Sequence, residues 1–194
     1  MSDGGKYDAI VIGVSAGGLK ALRFLIPELP VGFQIPIVIV QHISAHSDGS
    51  WIHLLSKEGN RIIKEADEKE EIKKEVIYVA PPNYHLMIER DKTFALDIDE
   101  KVNYARPSID VLFESAAEAY RDRLIGIILT GSGADGAKGL KRIKDRGGLT
   151  IAQDPAEAES ASMPTAAIAA TQVDHILSLR DIVDLLVEIE NTHQ

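Results

Sequence analysis

Gly13-Val14-Ser15-Ala16-Gly17-Gly18 sets a serine among small residues, directly after the apolar run Ala9 to Ile12. Gly-x-Ser-x-Gly is the nucleophile-elbow pattern, in which a tight strand-to-helix turn exposes the hydroxyl and aims the first free helix N–H groups at whatever it attacks. The N–H of the residue after the serine, here Ala16 with Gly17 beside it, is the expected oxyanion donor. The same residues suit a second chemistry, a glycine turn that cradles a phosphate or a turn that the serine merely caps, and the motif alone does not separate the two.

A serine nucleophile needs a base. Of six histidines, His42 follows Val38-Ile39-Val40-Gln41 and so falls at the carboxyl end of a predicted strand. His46, His53, His85 and His193 sit in polar or terminal contexts and read as surface or internally satisfied residues. His175 borders a strand at its amino end, away from the crevice in which open α/β sheets bind ligands. The base in turn needs a largely buried carboxylate to orient it. Thr130-Gly131-Ser132-Gly133-Ala134-Asp135-Gly136 supplies Asp135 directly after the apolar run Leu124 to Leu129. Alone, Asp135 reads as a turn or helix N-cap residue. With Ser15 and His42 it makes three groups that each follow a separate predicted parallel strand, all converging at one sheet edge.

Two rival sets use the same residues. Ser15, Asp135 and His175 follow the Ser…Asp…His order of α/β-hydrolases, but that fold places its elbow after several strands and Ser15 comes too early. His42 and His46 are spaced to share a metal on a helix, yet there is no His-Glu-x-x-His and no evident third ligand, so no metal and no cofactor are expected. Arg106 and Ser108, ahead of an amphipathic stretch, are candidates for lining a substrate groove, the alternative being a helix cap in which Ser108 bonds backbone N–H groups.

The elements that must position these groups alternate. Ala9 to Ile12 and Ile35 to Val40 are continuous apolar runs of the kind found in strands covered on both faces. Leu19, Leu22, Arg23, Leu25 and Ile26 keep a helical period between them, closed by Pro27 and Pro30. Asp110 to Tyr120 and Ala137 to Lys144 read as helices, Leu124 to Leu129, Leu149 to Ala152 and His175 to Leu177 as strands, and Arg180 to Glu190 as a last amphipathic helix. This predicts a doubly wound, mainly parallel, Rossmann-like α/β sheet. Glu65 to Glu75 is a charge run that reads as a solvated loop. Val76 to Val79, Tyr84 to Glu89 and Thr93 to Asp97 read as an antiparallel hairpin inserted in, or added to, that sheet.

The 194 residues suit a single domain, 1–194, with 45% hydrophobic and 26% charged side chains. A formal charge of −9 argues against nucleic acid as a partner. The absence of cysteine excludes disulfides, thiolate metal sites and a cysteine nucleophile. No apolar run approaches the ~20 residues that span a bilayer, so no membrane insertion and a cytoplasmic location are expected.

Ile12-Gly-Val-Ser-Ala-Gly-Gly-Leu19, Gln41-His42-Ile43, Ala80-Pro-Pro82, Arg106-Pro-Ser-Ile-Asp-Val-Leu-Phe113, Thr130 to Leu140, Ala152-Gln-Asp-Pro and Ser162-Met-Pro164 together resemble the catalytic domain of the bacterial chemotaxis protein-glutamate methylesterases, the CheB type. The segments run in family order over nearly the whole chain. The resemblance implies the same fold class and a triad on Ser15, His42 and Asp135. It implies hydrolysis of γ-glutamyl methyl esters on the cytoplasmic helices of chemoreceptors, with glutamine deamidation as a side activity. Three departures stand out. Ala16 replaces a frequent threonine and Ser132 a frequent methionine. No receiver domain of the family's usual kind is expected ahead of the catalytic strand, so regulation is expected to come from elsewhere or to be absent, with a separate receiver domain or a methyltransferase as expected partners. Two other classes remain open: a binding module of a signalling system, and a nucleotide-binding domain, which would want a carboxylate where His42 stands.

Overall fold

The computed structural model describes residues 6–42 and 49–192. In chain order the elements are β1 (Ala9–Val14), α1 (Gly18–Glu28), β2 (Ile37–Gln41), α2 (Ser50–Gly59), β3 (Ile62–Glu65), β4 (Val76–Val79), β5 (His85–Ile88), β6 (Phe94–Asp97), α3 (Ile109–Tyr120), a 3₁₀ turn at Arg121–Arg123, β7 (Leu124–Ile128), α4 (Ala137–Asp145), β8 (Leu149–Gln153), α5 (Ser162–Ala170), β9 (His175–Leu177) and α6 (Leu179–Asn191).

Among the described residues, seven parallel strands form one sheet in the order β3-β4-β2-β1-β7-β8-β9. Strand side chains alternate between two cores because successive residues face opposite sides of the sheet. Ile10, Ile12, Ile37 and Ile39 pack with Leu22, Leu25 and Ile26 of α1 and Ile182 and Leu186 of α6. Val11, Val38 and Val40 pack on the other side with Leu112 and Phe113 of α3, Leu140 and Ile143 of α4, and Met163 of α5. With both faces covered, every residue of β1, β2 and β7 is buried, which is why these strands read as unbroken apolar runs.

The chain winds from β1 outward to β2 and β4, then returns to the other side of β1 as β7, so the connections diverge on either side of β1. At such a switch point the loops at the carboxyl strand ends part and leave a crevice. Here they are the loops after β1, β2 and β7. Helices α3 and α4, which frame the β7 loop, approach closely: a Cβ added to Gly139 would lie 2.4 Å from Phe113 Cβ.

Three expectations need correction. Val76–Val79 is not part of the hairpin; it is β4, parallel and hydrogen-bonded between β3 and β2. The hairpin is β5–β6, and it forms a separate two-stranded antiparallel sheet instead of joining the large one. Its apolar side, Leu86, Ile88 and Phe94, closes the core around α3 and Tyr78. Pro27 does not close α1, which continues through it to Glu28. The charge run from Glu65 is a loop after its first residue, which ends β3.

Candidate active site

The last register pair between β1 and β2 is Val14 with Gln41, so Ser15 and His42 are the next residues on adjacent parallel strands. Backbone bonds hold both: Ser15 N donates to Thr130 O at 3.0 Å and His42 N to Val14 O at 3.0 Å. Thr130 begins the loop after β7, on the other side of β1, and that loop carries Asp135. Three strand ends thus bring together groups far apart in the chain, with His42 Nε2 2.8 Å from Asp135 Oδ2.

Asp135 is buried at 4% exposure and accepts a dense set of hydrogen bonds. Its Oδ1 takes Asn103 Nδ2 at 2.9 Å, Ser108 Oγ at 2.8 Å and Asp110 N at 3.1 Å. Its Oδ2 takes Ile109 N at 2.7 Å in addition to His42. The carboxylate therefore caps the first turn of α3, a helix other than the one its own loop enters, and shares that turn's partial positive charge. Burial pushes its pKa up, but the bonds from His42, Asn103, Ile109 and Asp110 outweigh it and hold the carboxyl below its ordinary value. Charge-assisted bonds contribute about 1.5–3 kcal/mol each, so several together exceed the several kcal/mol that burying one charge costs.

Beside it lies a second buried carboxylate with the opposite displacement. Asp110 accepts Gly139 N at 2.7 Å and Asn103 Nδ2 at 2.7 Å. Burial first, and the negative charge of Asp135 as well, push its pKa up. Asn103 thus shares its amide protons between the two carboxylates, and its loop forms one wall of a 610 Å³ groove that is also lined by His42, Arg106, Ser132, Gly133 and the edge of the buried Asp135.

Ser15 is half-buried, and among the described residues its Oγ makes no hydrogen bond to His42. In ligand-free enzymes such bonds are often long and tighten only when substrate binds. Ala16 is exposed, and its N–H has no hydrogen-bond partner among the described residues. Ser132 and Gly133 are exposed across the groove, with Ser132 Oγ 3.1 Å from Ser160 Oγ.

Other candidates land elsewhere. Arg106 lines the groove, but its guanidinium bonds Asn83 Oδ1 at 2.8 Å and the carbonyls of Ile98 and Asp99 at 2.6 and 2.8 Å, which ties up the loop more than it offers charge to a ligand. Ser108 does precede α3, but its hydroxyl donates to Asp135 instead of capping backbone N–H groups. His85 is the buried, satisfied kind, accepting Ser108 N at Nδ1 and meeting Glu100 O at Nε2. His53 is exposed on α2. His175 starts β9 at the far edge of the sheet, remote from β1, which removes the Ser15–Asp135–His175 set. His46 and His193 lie outside the described residues, and with His46 the two-histidine metal pair that the sequence argued against.

Sequence reasoning missed Asn103, Ser108 as a partner of Asp135, and Asp110. Asp110 alone carried a signal, as an acidic residue inside an otherwise apolar helix face.

The sequence profile of the CheB methylesterase family matches residues 10–186. This chain belongs to the CheB methylesterase family. A Leptospira interrogans member with the provisional name protein-glutamate methylesterase/protein-glutamine glutaminase is 60% identical over 188 residues, 97% of each chain. The Thermotoga maritima protein-glutamate methylesterase/protein-glutamine glutaminase is 37% identical, and the alignment covers 93% of this chain and 53% of that one. The crystal structure of the Thermotoga maritima CheB methylesterase catalytic domain superposes with a TM-score of 0.90 at 36% identity, covering 94% of this chain and 98% of that one. The CheB fold therefore accounts for the large parallel sheet and the separate hairpin together. Both residues at which this chain departs from the pattern of better-known CheB proteins, Ala16 and Ser132, are exposed, and Ser132 lines the groove.

Proposed function

We propose that this chain is a protein-glutamate methylesterase that hydrolyses γ-glutamyl methyl esters on the cytoplasmic helices of chemoreceptors, with Ser15 as nucleophile, His42 as base and Asp135 as the carboxylate that orients it. The observation that carries this reading is the 2.8 Å contact between His42 Nε2 and the ionised, buried Asp135, one register step from the serine of the elbow.

With Nε2 committed to Asp135, Nδ1 is the imidazole nitrogen left for Ser15. It takes the Oγ proton as Oγ bonds to the ester carbonyl carbon. The tetrahedral oxyanion faces the Ala16 N–H, with Gly17 and the amides of the Ser132-Gly133 loop as further donors. Removing one such donor elsewhere costs about 10²–10³-fold in kcat. The C–OCH₃ bond then breaks, and His42 returns its proton to the leaving oxygen as methanol. Water attacks the glutamyl-serine ester, His42 removes its proton, and breaking the C–Oγ bond releases glutamate and regenerates Ser15. A glutamine side chain would follow the same path with ammonia leaving, which agrees with the double name of the relatives. An open groove suits an ester presented on the side of a helix. Exposed Ala16 contributes through its backbone, so the missing threonine hydroxyl does not remove the donor.

The test is release of labelled methanol from methylated receptor by the parent and by Ser15→Ala. Loss of release in the variant is expected, and equal release by both would remove the nucleophile assignment. A fluorophosphonate serine probe should label the parent at Ser15; a binding module without catalysis would stay unlabelled.

A further inference from the structure

We infer that Gln41 and Thr130 are positioning residues that set the two successive peptide planes of the elbow and so aim the oxyanion donors, an inference that rests on the serine-esterase reading of this site. Gln41 is the last residue of β2 and only 8% exposed. As its strand neighbour, His42 faces the α3 side of the sheet, while Gln41 lies under the first turn of α1, where a Cβ on Gly18 would meet Gln41 Oε1 at 2.3 Å. Its Nε2 donates to Ser15 O at 3.1 Å and to His42 O at 3.0 Å. One amide therefore ties together the backbones of the proposed nucleophile and base from beneath the sheet.

The consequence for chemistry follows from peptide geometry. The Ser15–Ala16 peptide is trans, so its C=O and N–H point in opposite directions. Gln41 Nε2 and Gly18 N, the latter at 2.9 Å, hold Ser15 O toward α1. The Ala16 N–H is thereby turned away from α1. The next plane is fixed from the other neighbouring strand: Thr130 Oγ1 donates to Ala16 O at 2.9 Å, which orients the Gly17 N–H. Thr130 is itself buried and held at three points, through its N–H to Gln153 Oε1 at 2.8 Å, its carbonyl to Ser15 N at 3.0 Å, and its hydroxyl, which accepts Ser160 N at 2.9 Å.

The orientation of the Gln41 amide is forced, because turning it over would set Oε1 against two carbonyl oxygens. In the forced orientation Oε1 is buried without a partner among the described residues. A buried unpartnered acceptor is a cost to the fold.

The experiment compares the parent with Gln41→Met, Thr130→Val and Thr130→Ser on a receptor fragment carrying labelled γ-glutamyl methyl esters, with melting curves for each. Gln41→Met keeps the side-chain length and removes the donor; Thr130→Val keeps the branched shape and removes the hydroxyl. In both, kcat should fall about 10- to 100-fold with KM unchanged, since a misaimed donor loses part of what a deleted one loses. Both variants should remain folded at the assay temperature, and Thr130→Ser should recover most of the rate. Parent-like kcat in folded Gln41→Met and Thr130→Val would overturn the inference, as would a change confined to KM or a failure of Thr130→Ser to rescue. Should Gln41→Met not fold, the Thr130 pair decides. Equal methanol release by the parent and Ser15→Ala would fail the esterase reading itself, and the inference with it.

Discussion

Asp135 does two jobs with one carboxylate, bonding the His42 imidazole and anchoring the first turn of α3. Replacing it by asparagine keeps the shape but sets an N–H₂ against donors on at least one side. Asp135→Asn should therefore lose about 10⁴-fold in kcat, the size of effect that a wrong imidazole tautomer has elsewhere, and also melt at lower temperature. His42→Ala should lose activity comparably while its melting temperature changes little, since the imidazole is partly exposed and, among the described residues, bonds only Asp135. The two buried carboxylates respond to pH in opposite senses. Asp135, held below its ordinary value of 3.8 against the pull of burial, contributes stability that is present above that value and is lost as pH falls through its folded-state pKa. Asp110, pushed above 3.8 mainly by burial, favours the folded state most when protonated and loses that contribution as pH rises through its folded-state pKa. Urea midpoints from pH 3 to pH 7 should therefore show Asp110→Asn gaining on the parent as pH rises. A constant difference across that range would show that Asp110 does not titrate as described.

At the scale of elements, the site depends on how closely α3 and α4 approach. The absent side chain of Gly139 lets Phe113 and the Asp110 backbone sit against α4, and its N–H donates to Asp110. Gly139→Ala forces the helices apart or distorts them, and overpacking of this kind costs about 1–3 kcal/mol. Because α4 follows the Asp135 loop directly, chemical denaturation should show that loss together with reduced esterase activity. The elements that the sequence showed clearly are those whose pattern is set by burial on both faces or by an apolar stripe: β1, β2, β7, β8, α3, α4 and α6. Those it hid have weak patterns for identifiable reasons. α5, Ser162 to Ala170, is mostly alanine and small residues with no polar face to mark its period. β3 is an edge strand with Ile62 exposed and a polar second half, so it lacks the continuous run of its neighbours. β4 is equally short, and a four-residue run next to the hairpin does not reveal that its partners are the parallel strands β3 and β2, whereas the antiparallel pairing of β5 with β6 was legible.

At the scale of the whole molecule, the contact that matters most joins residues 93 positions apart, His42 and Asp135, through strands on either side of β1. No fragment short of the sheet assembles it. Activity and the far-ultraviolet dichroism of the sheet should therefore disappear over the same urea range, and activity lost well before the sheet would mean that the site loops unfold on their own. Among the described residues no helix is long and apolar enough to cross a membrane. The sequence by itself determined the alternation of strands and helices and the placing of Ser15, His42 and Asp135 after predicted strands, because continuous burial and glycine-rich turns leave direct local marks in residue order; the family was legible separately, in the ordered set of motif segments. Only the tertiary structure decided which of the short strands join the large sheet, that Ser108 and Asn103 serve Asp135, and that Gln41 and Thr130 grip the elbow. Those are side-chain contacts between loops distant in sequence, fixed by strand order and helix packing, and hydrogen bonds made across such distances impose no period on the chain.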